Sequence, residues 1–335
     1  MGNLFGYQKT NNLDEIDDII SSDDYIQLNK KEIKYLVFSG GGARGISFIG
    51  ALQILHKLNI LDEKILGYAG TSVGSLFASI LAIGYTPDEM MLIMNKMDFN
   101  KIADSSKELN YIYDLLGDLI SVKTGNPDYS IKNLYLDKNI KLIIPVTSVL
   151  NSKLIYFNQN YDIPIRMAVK MSMTIPHVFN PVIYEGGMYV DGGVFDYYPI
   201  SVFDDDIQDT SEVLGFKICS KDQVLSDINN INLDLKYIDL FFISNEKREL
   251  SEYNEMRTVK IWTDNIDLDN FNLDDHKKIE LILTGSECTS KFFEININYG
   301  VGCEFTDDVD CPIINNDESR VGLDVGLEDE LNYEY

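Results

Sequence analysis

Basic residues are scarce in this 335-residue chain, and so are histidine and cysteine. The 28 lysines and arginines stand against 54 acidic residues, which gives a formal net charge of −26 at pH 7. A chain this acidic is repelled by the phosphates of nucleic acids and by anionic membrane surfaces, so no nucleic-acid partner is expected. Any contact with a lipid surface would have to come from apolar side chains or from a lipid anchor.

The four cysteines show no Cys-x-x-Cys spacing and no paired histidines accompany them. The usual zinc patterns are therefore excluded, and a reducing compartment is favoured. The three histidines, His56, His177 and His276, lie outside any motif that marks a catalytic imidazole. A Ser-His-Asp triad is difficult to build from them, so a carboxylate would have to serve as the base, and we expect no metal and no cofactor.

Long apolar runs are also missing. No stretch approaches the roughly 18 consecutive apolar residues of a membrane span, and the N-terminal region lacks a basic segment followed by an apolar core. We therefore expect a cytoplasmic protein. The first six residues read Met-Gly-Asn-Leu-Phe-Gly and match the N-myristoylation pattern except at Gly6, so peripheral membrane attachment through Gly2 is an alternative.

Both ends of the chain are acidic. Residues 1–32 are predicted to be an acidic flexible leader. Residues 298–335 carry 11 acidic residues against one basic residue, which predicts an acidic disordered tail. The remaining residues, 33–297, are predicted to form one domain, since a composition with 45% apolar residues is sufficient for a buried core.

A tight turn stands out at residues 70–74, which spell Gly-Thr-Ser-Val-Gly. In a Gly-x-Ser-x-Gly turn between a strand and a helix, side chains two positions before and after the serine would collide, so glycine is needed there. The serine hydroxyl is then exposed at the carboxyl end of the sheet. An apolar strand leads into this turn and a helix-compatible run follows it, which makes Ser72 the candidate nucleophile and Gly70 and Gly74 the glycines of the elbow.

A glycine loop follows the first predicted strand, at residues 40–45. Its glycines can present backbone amides without interfering side chains, and the helix that starts near Gly45 adds its positive end. An oxyanion needs such donors, so the loop is a candidate oxyanion hole made of Gly40, Gly41, Gly42, Ala43, Arg44 and Gly45. The same spacing satisfies the dinucleotide fingerprint. That alternative requires an acidic residue at the end of the second strand, where this chain has Gly-Thr-Ser.

The candidate base is Asp191, at the end of a short apolar strand and followed by Gly192 and Gly193, which allow close approach of the backbone. Burial can raise the pKa of a carboxyl group from about 3.9 toward neutrality, where it can take a proton from a serine. Alone, Ser72 or Asp191 could be an ordinary turn residue. Their combination with the glycine loop favours an enzyme.

These residues resemble the patatin-like phospholipase family. The glycine loop matches the family's Gly-Gly-Gly-x-Arg/Lys-Gly, the elbow its Gly-x-Ser-x-Gly, and residues 191–193 its Asp-Gly-Gly/Ala, all in the family's order. Residues 172–181 and 147–157 also look like the family's segment before the aspartate and its central strand pair. The resemblance covers roughly residues 33–297. It implies an α/β fold with three layers, in which helices flank a mainly parallel central sheet, related to the α/β-hydrolases.

The resemblance also implies a lipid acyl hydrolase, in the first place a phospholipase of A type. Ser72 would be the nucleophile, Asp191 the base, and Arg44 a positive group beside the oxyanion donors. The implied partner is a phospholipid or another acyl lipid, met in transient contact with a membrane, and the need for an activating protein is open. Alternatives are a neutral-lipid or lysophospholipid hydrolase, and a non-catalytic lipid- or protein-binding module on the same fold.

Two positions depart from the family pattern and bear on the shape of the acyl pocket: Tyr197, where the family often has Asn, and His177, where it often has Gly. Elsewhere, the apolar patterns predict strands at 141–146, 154–157, 213–219 and 258–263, and helices at 87–97, 165–172, 233–249 and 276–293. We expect the lid or the wall of the acyl channel to come from residues 87–129, which lie between Ser72 and Asp191 in the chain.

Overall fold

The computed structural model describes residues 33–61, 64–98, 101–102, 107–220, 233–264, 266 and 270–294. The predictions for Gly2, for the leader at 1–32 and for the tail at 298–335 lie outside the described residues. The boundaries proposed for the single domain therefore stay predictions.

An eight-stranded mixed sheet is the centre of the fold. In spatial order, seven strands run β5-β6-β3-β2-β1-β7-β8, and β4 pairs with β3. The strands β3, β2, β1, β7 and β8 are parallel, whereas β4, β5 and β6 are joined by antiparallel pairs. Their bounds are β1 Tyr35–Phe38, β2 Gly67–Gly70, β3 Lys141–Ser148, β4 Lys153–Phe157, β5 Val182–Tyr184, β6 Gly187–Asp191, β7 Val213–Ser220 and β8 Thr258–Thr263.

Helices flank this sheet, so the predicted fold class is confirmed. Their bounds are α1 Ser47–Lys57, α2 Val73–Ile83, α3 Pro87–Lys96, α4 Asn110–Thr124, α5 Ile131–Lys138, α6 Ile165–Met173, α7 Leu233–Glu246, α8 Glu252–Met256 and α9 Asp275–Phe292. Short 3-10 turns lie at Gly42–Ile46, Gly192–Val194 and Thr210–Glu212. The helix expected to start near Gly45 is thus a 3-10 turn that continues as α1, and the helix predicted at 233–249 ends at Glu246.

Local sequence signals explain several of these boundaries. Thr86 and Glu89 form a capping box at the start of α3, in which the Thr86 side chain accepts from the Glu89 amide and the Glu89 carboxylate accepts from the Thr86 amide. Pro87 occupies the first turn, where its missing N–H costs nothing. Asp274 accepts from the amide of Lys277 at the start of α9.

The central strands are buried along their whole length. Every residue of β1 and β2 is buried, as is every residue of α2. Phe38 on β1 stacks on Phe216 of β7, with 5.4 Å between the ring centroids. Phe48 of α1 contacts the Phe38 ring edge-on, with 5.3 Å between the ring centroids. Parallel strands covered by helices on both faces read as nearly continuous apolar runs, as β1 does here.

The register of the parallel strands decides where the motifs meet. Phe38 at the end of β1 pairs with Gly70 at the end of β2, so the glycine loop and the elbow start side by side at one edge of the sheet. The chain leaves β1 toward β2 on one side, and β7 pairs with β1 on the other. In open α/β sheets, such a point outside the carboxyl ends of the strands is where ligands bind.

Of the helices described, none is both long and apolar enough to cross a bilayer.

Candidate active site

Ser72 lies in a strained turn between β2 and α2. Its backbone has φ 53° and ψ −127°, a combination that costs a residue with a side chain free energy, and the residue is 6% exposed. A Cβ on Gly74 would lie 2.5 Å from the Ser39 carbonyl oxygen and 2.6 Å from that of Phe38. A Cβ on Gly70 would collide with the Gly74 carbonyl group. Both glycines are therefore sterically required.

A second serine holds this turn in place. The amide of Ser72 donates to Oγ of Ser172 at 3.0 Å, and the Ser172 hydroxyl donates to the Pro145 carbonyl oxygen at 2.7 Å. The turn is thereby tied to α6 and to β3. Sequence reasoning assigned Ser172 no role, because the bond spans 100 residues of chain and no local pattern reports it.

Asp191 ends β6 and is fully buried. Its backbone is fixed on both sides, since its amide donates to the Thr174 carbonyl oxygen at 2.8 Å and its carbonyl oxygen accepts from the Thr147 hydroxyl at 2.9 Å. One carboxylate oxygen, Oδ1, accepts from the Gly193 amide at 2.7 Å. The other, Oδ2, is buried and has no described hydrogen-bond partner within 3.5 Å, although the Ser72 side chain lies close enough to affect the carboxyl group. An oxygen left in that state is costly unless a reacting group uses it.

The surroundings of Asp191 change its acidity. Burial raises the pKa of its carboxyl group to about 7, while the Ser72 side chain and the Gly193 amide act in the opposite direction. Removal from water disfavours the charged form, which explains the sign of the change. A carboxyl group with a pKa near neutrality can accept a proton and release it again at the same pH.

Ser72 and Asp191 line one cavity, although they lie far apart in the sequence. The cavity volume is about 10 Å³, which is room for about one water molecule. Its wall is made of three groups: the glycine loop with Tyr197, the ends of β2 and β6, and one face of α7. The residues are Gly40, Gly41, Gly42, Arg44, Ser72, Ile175, Asp191, Tyr197, Asp239, Phe242, Ile243 and Glu246.

The glycine loop contributes amides to this cavity. The Gly40 amide is already used, because it donates to the Tyr197 carbonyl oxygen at 2.9 Å. The amides of Gly41 and Gly42 have no partner among the described residues. Gly45 packs against Val73, so the loop is in direct contact with the elbow. Of the six loop residues predicted for an oxyanion hole, Gly41 and Gly42 are the ones that line the cavity with their amides unused.

Arg44, expected as a positive group beside the oxyanion donors, lines the cavity next to the glycine loop, and its charge is paired. It is 4% exposed, and its Nη2 lies 2.9 Å from Oε2 of Glu246. Its Nη1 donates to the Ser220 hydroxyl and its Nε to the Gly41 carbonyl oxygen. The second carboxylate oxygen of Glu246 accepts from the Ser220 amide. A guanidinium group buried in this way needs a counter-charge, and Glu246 supplies it.

Helix α7 covers the cavity, and none of the described residues of 87–129, where we expected the lid or the wall of the acyl channel, is part of its lining. Four residues of α7 line the cavity, and Phe242 packs against the backbone at Gly193. Asn245 donates to the Gly193 carbonyl oxygen at 3.1 Å. Helix α3 packs on α1, and α4 packs on α2 and α6, so the expected segment is occupied elsewhere. A position between Ser72 and Asp191 in the chain does not imply a position between them in space.

The three histidines stay outside the described lining of the cavity. His56 is exposed at the end of α1, and His177 lies in a turn with φ 66°. Tyr197, in contrast, is 5% exposed, and its ring lies 3.0 Å from where a Cβ on Gly40 would be. Of the two departures from the family pattern, Tyr197 therefore shapes the cavity. Within the described ranges, no three His, Cys, Asp or Glu side chains are grouped so as to hold a metal ion.

Comparison with known proteins agrees with this geometry. The model of the patatin-like phospholipase family matches residues 36–204, half of the chain. The chain belongs to the patatin-like phospholipase family. The match includes the glycine loop, the elbow and residues 191–193, so the resemblance read from the motifs is confirmed.

Two viral proteins are among the similar members of known sequence. The uncharacterized protein R571 of Acanthamoeba polyphaga mimivirus is 34% identical over 195 residues, which are 55% of this chain and 66% of that protein. The probable lipid hydrolase 463L of Invertebrate iridescent virus 6 is 30% identical over 190 residues, 52% of this chain and 64% of that one. The chain thus spans slightly less than two thirds of the length of each.

A solved structure shares the fold. VipD from Legionella pneumophila superimposes with a TM-score of 0.59 and 16% identity, covering 79% of this chain and 67% of VipD. At that identity the match shows a patatin-like fold and nothing finer.

Proposed function

We propose that the chain is a phospholipase of A type that cleaves fatty-acyl esters through an acyl-enzyme on Ser72. The observation that carries the proposal is the cavity itself. It brings together a strained serine at the end of β2, a buried carboxyl group with one oxygen unpaired and a pKa of about 7, and two unused backbone amides.

The first half of the reaction forms the acyl-enzyme. The Asp191 carboxylate takes the hydroxyl proton of Ser72 while Oγ attacks the ester carbonyl carbon. The amides of Gly41 and Gly42 donate to the oxyanion that develops. When the carbonyl group reforms, the ester C–O bond breaks, and the departing lysophospholipid alcohol takes the proton from Asp191.

The second half releases the fatty acid. Asp191 takes a proton from water, whose oxygen attacks the acyl carbon, and the same amides again stabilise the oxyanion. The bond to Ser72 then breaks, the proton returns to Oγ, and the fatty acid leaves. One carboxyl group can serve both halves because a pKa of about 7 lets it gain and lose a proton near neutral pH.

The substrate is presented as a lipid aggregate, so transient contact with a membrane is part of the proposal. A net charge of −26 favours zwitterionic over anionic surfaces. No charge on the chain is needed to hold such a surface. Apolar side chains around the cavity would provide the contact.

A fluorophosphonate probe tests the serine directly. Purified wild type is compared with Ser72→Ala and Asp191→Asn, and with Ser79→Ala as the matched control, since Ser79 is a buried serine on the same helix outside the cavity lining. We expect labelling of wild type and Ser79→Ala, none of Ser72→Ala, and labelling of Asp191→Asn slowed by about a hundredfold or more. Fatty-acid release from phosphatidylcholine, lysophosphatidylcholine and triacylglycerol then identifies the ester.

Two results would contradict the proposal. Equal labelling of Ser72→Ala and wild type would place the reactive serine elsewhere. A folded wild type that neither labels nor releases acid, with or without added cell extract as a source of an activating protein, would leave a non-catalytic binding module as the remaining function. Release from triacylglycerol or lysophosphatidylcholine alone would keep the mechanism and change the substrate.

A further inference from the structure

The cavity is too small for a lipid in the state described here. A space of about 10 Å³ holds about one water molecule, whereas pockets for drug-sized ligands measure about 300–1,000 Å³. A fatty-acyl chain reaches Ser72 only after part of the wall has moved.

Part of the wall is fixed by the sheet. The glycine loop and the elbow follow the buried strands β1 and β2, and a Cβ on Gly41, Gly70 or Gly74 would collide with its neighbours. The largest group of lining residues from one helix belongs to α7, which contributes Asp239, Phe242, Ile243 and Glu246. Its main packing is against the Gly192–Val194 turn and β7. It is anchored chiefly by side chains near its last turn, through Asn245 and Glu246.

The outer face of α7 is apolar as well. Tyr237 is 64% exposed, Leu240 51% and Phe241 43%. The charged neighbours on the helix are neutralised, because Lys236 and Asp239 pair at 2.6 Å. Between residues 237 and 244, the exposed face of the helix therefore carries no unpaired charge, in a chain with a net charge of −26. The inner face carries two carboxylates, Asp239 and Glu246, and both are paired, so a helix with apolar residues on both sides and no unpaired charge here is suited to burial on both sides.

We propose that α7 is a lid whose outer face, defined by Tyr237, Leu240 and Phe241, inserts into the surface of a zwitterionic phospholipid aggregate. Docking moves the inner face away from Ser72 and opens the cavity to the lipid beneath it. The proposal rests on the function proposed above, and it adds how the same site is regulated. In water, only the inner face of α7 is buried, whereas a lipid surface buries the outer face too.

A lipid surface suits this face better than a protein partner. The face lies directly over the cavity of a lipid hydrolase, so a surface that covers it also delivers the substrate. Its lack of free charge matches the uncharged acyl region just below zwitterionic head groups. Phe195, which is 46% exposed, directly follows the Gly192–Val194 turn on which α7 packs.

A tryptophan reporter tests docking without catalysis. Trp262 is the single tryptophan of the chain, so the reporter Phe241→Trp is built in a Trp262→Phe, Ser72→Ala background that cannot consume the lipid. With phosphatidylcholine vesicles, we expect its emission to shift to shorter wavelength. Leu136→Trp in the same background is the matched control, since Leu136 is 68% exposed on α5. Unchanged emission from Phe241→Trp, or an equal shift in both reporters, overturns the proposal.

A concentration series without vesicles tests whether a second copy of the chain, and not a lipid surface, covers the outer face of α7. An emission shift of Phe241→Trp that grows with protein concentration in the absence of lipid would mean that a second copy of the chain covers α7, and would also overturn the proposal. Because this reporter lacks Ser72, its result does not depend on whether the chain is a phospholipase.

A ratio of two rates tests the link to activity. The rate on phosphatidylcholine vesicles is divided by the rate on a short-chain, monomeric ester. For the double variant Leu240→Glu, Phe241→Glu we expect this ratio to fall at least tenfold, and for Val122→Glu, Leu136→Glu, two exposed apolar residues elsewhere, to stay as in wild type. An unchanged ratio in the first variant contradicts the lid. Absence of hydrolysis of both substrates by wild type contradicts the proposed function instead.

Discussion

Ser72 is held on one side of the cavity mainly by backbone packing, whereas α7 is held on the other side mainly by its own side chains. On the Ser72 side, the glycine loop and the elbow follow adjacent buried strands, and a Cβ on Gly70 or Gly74 would meet the backbone. On the α7 side, the contacts are an ion pair, an amide side chain and one aromatic ring. Backbone packing keeps a reacting group at a set position, while side-chain contacts can be broken and remade. This difference suits a site in which the floor, made of the glycine loop and the elbow, is fixed and the cover, α7, can move.

The largest expected loss of stability comes from adding a side chain at a glycine of the floor. Gly74→Ala places a methyl group 2.5 Å from the Ser39 carbonyl oxygen, so we expect a loss of unfolding free energy of at least about 4 kcal/mol, or no folded protein. Gly186→Ala is the control, since it has φ 76° and no atom nearby, and should cost about 1 kcal/mol through backbone strain alone. Urea unfolding measures both, and equal losses would contradict a floor held by backbone packing.

A substitution in the cover, α7, should lower the free energy of unfolding by a smaller amount. Glu246→Gln removes the charge that neutralises Arg44, and both side chains are nearly inaccessible, at 3% and 5% exposure. We expect the free energy of unfolding to fall by about 3 kcal/mol, since a buried cation is left without its partner. Glu255→Gln, in an exposed pair with Lys260, should cost about 0.5 kcal/mol. If the two variants lose the same stability, the Arg44–Glu246 pair does not hold α7.

Asp191 also lines the cavity, and its contribution to the free energy of unfolding depends on pH. Because its pKa rises from 3.8 to about 7 on folding, the native state binds a proton between about pH 4 and 7 that the unfolded chain has lost. The free energy of unfolding of wild type therefore falls with rising pH in that window, by up to about 1.4 kcal/mol per unit from this group. Above pH 7 the contribution is constant.

Asp191→Asn removes that dependence. Measured by urea unfolding at pH 5, 6, 7 and 8, the variant should gain stability relative to wild type up to about pH 7, after which the difference levels off. All other titrating groups are common to both proteins and cancel. A difference that does not change with pH would mean that the pKa of Asp191 is not raised by burial.

The smallest effect concerns the strain at Ser72. With φ 53° and ψ −127°, the residue has a backbone that glycine adopts more easily. Ser72→Gly should be more stable than Ser72→Ala by about 1 kcal/mol, although both lack the hydroxyl group. Thermal unfolding of the two variants measures the difference. Equal stability would mean that the turn relaxes and that the floor is less rigid than the glycine contacts indicate.

Short-range patterns predicted much of this molecule. Residues 35–75 read as strand, glycine loop, helix, strand and elbow, and the structure has β1, α1, β2 and α2 there. The strands β3, β4, β7 and β8 were also predicted. These elements depend on apolar periodicity and on turn residues, which act over a few positions of chain.

Contacts between distant residues were not predictable in the same way. The sequence indicated a helix near residue 233 but not that it covers the cavity, because α7 is apolar on both sides and its pattern marks no single buried face. Glu246 read as one acidic residue among 54, and only the ion pair with Arg44 distinguishes it. For this reason the sequence did not indicate that the charge of Arg44 is paired, and it placed the lid or the wall of the acyl channel at residues 87–129.

The sequence by itself determined the fold class and the family, and it proposed Ser72 and Asp191 as the reacting residues, because these inferences depend on local motifs and on their order. Tertiary structure alone decided that Asp191 is buried with one carboxylate oxygen unpaired. It also decided that Oγ of Ser172 accepts a hydrogen bond from the Ser72 amide, and that α7 covers the cavity. Burial and hydrogen bonding depend on what lies within a few ångströms in space. No short stretch of sequence records which residue, a hundred positions away, will lie there.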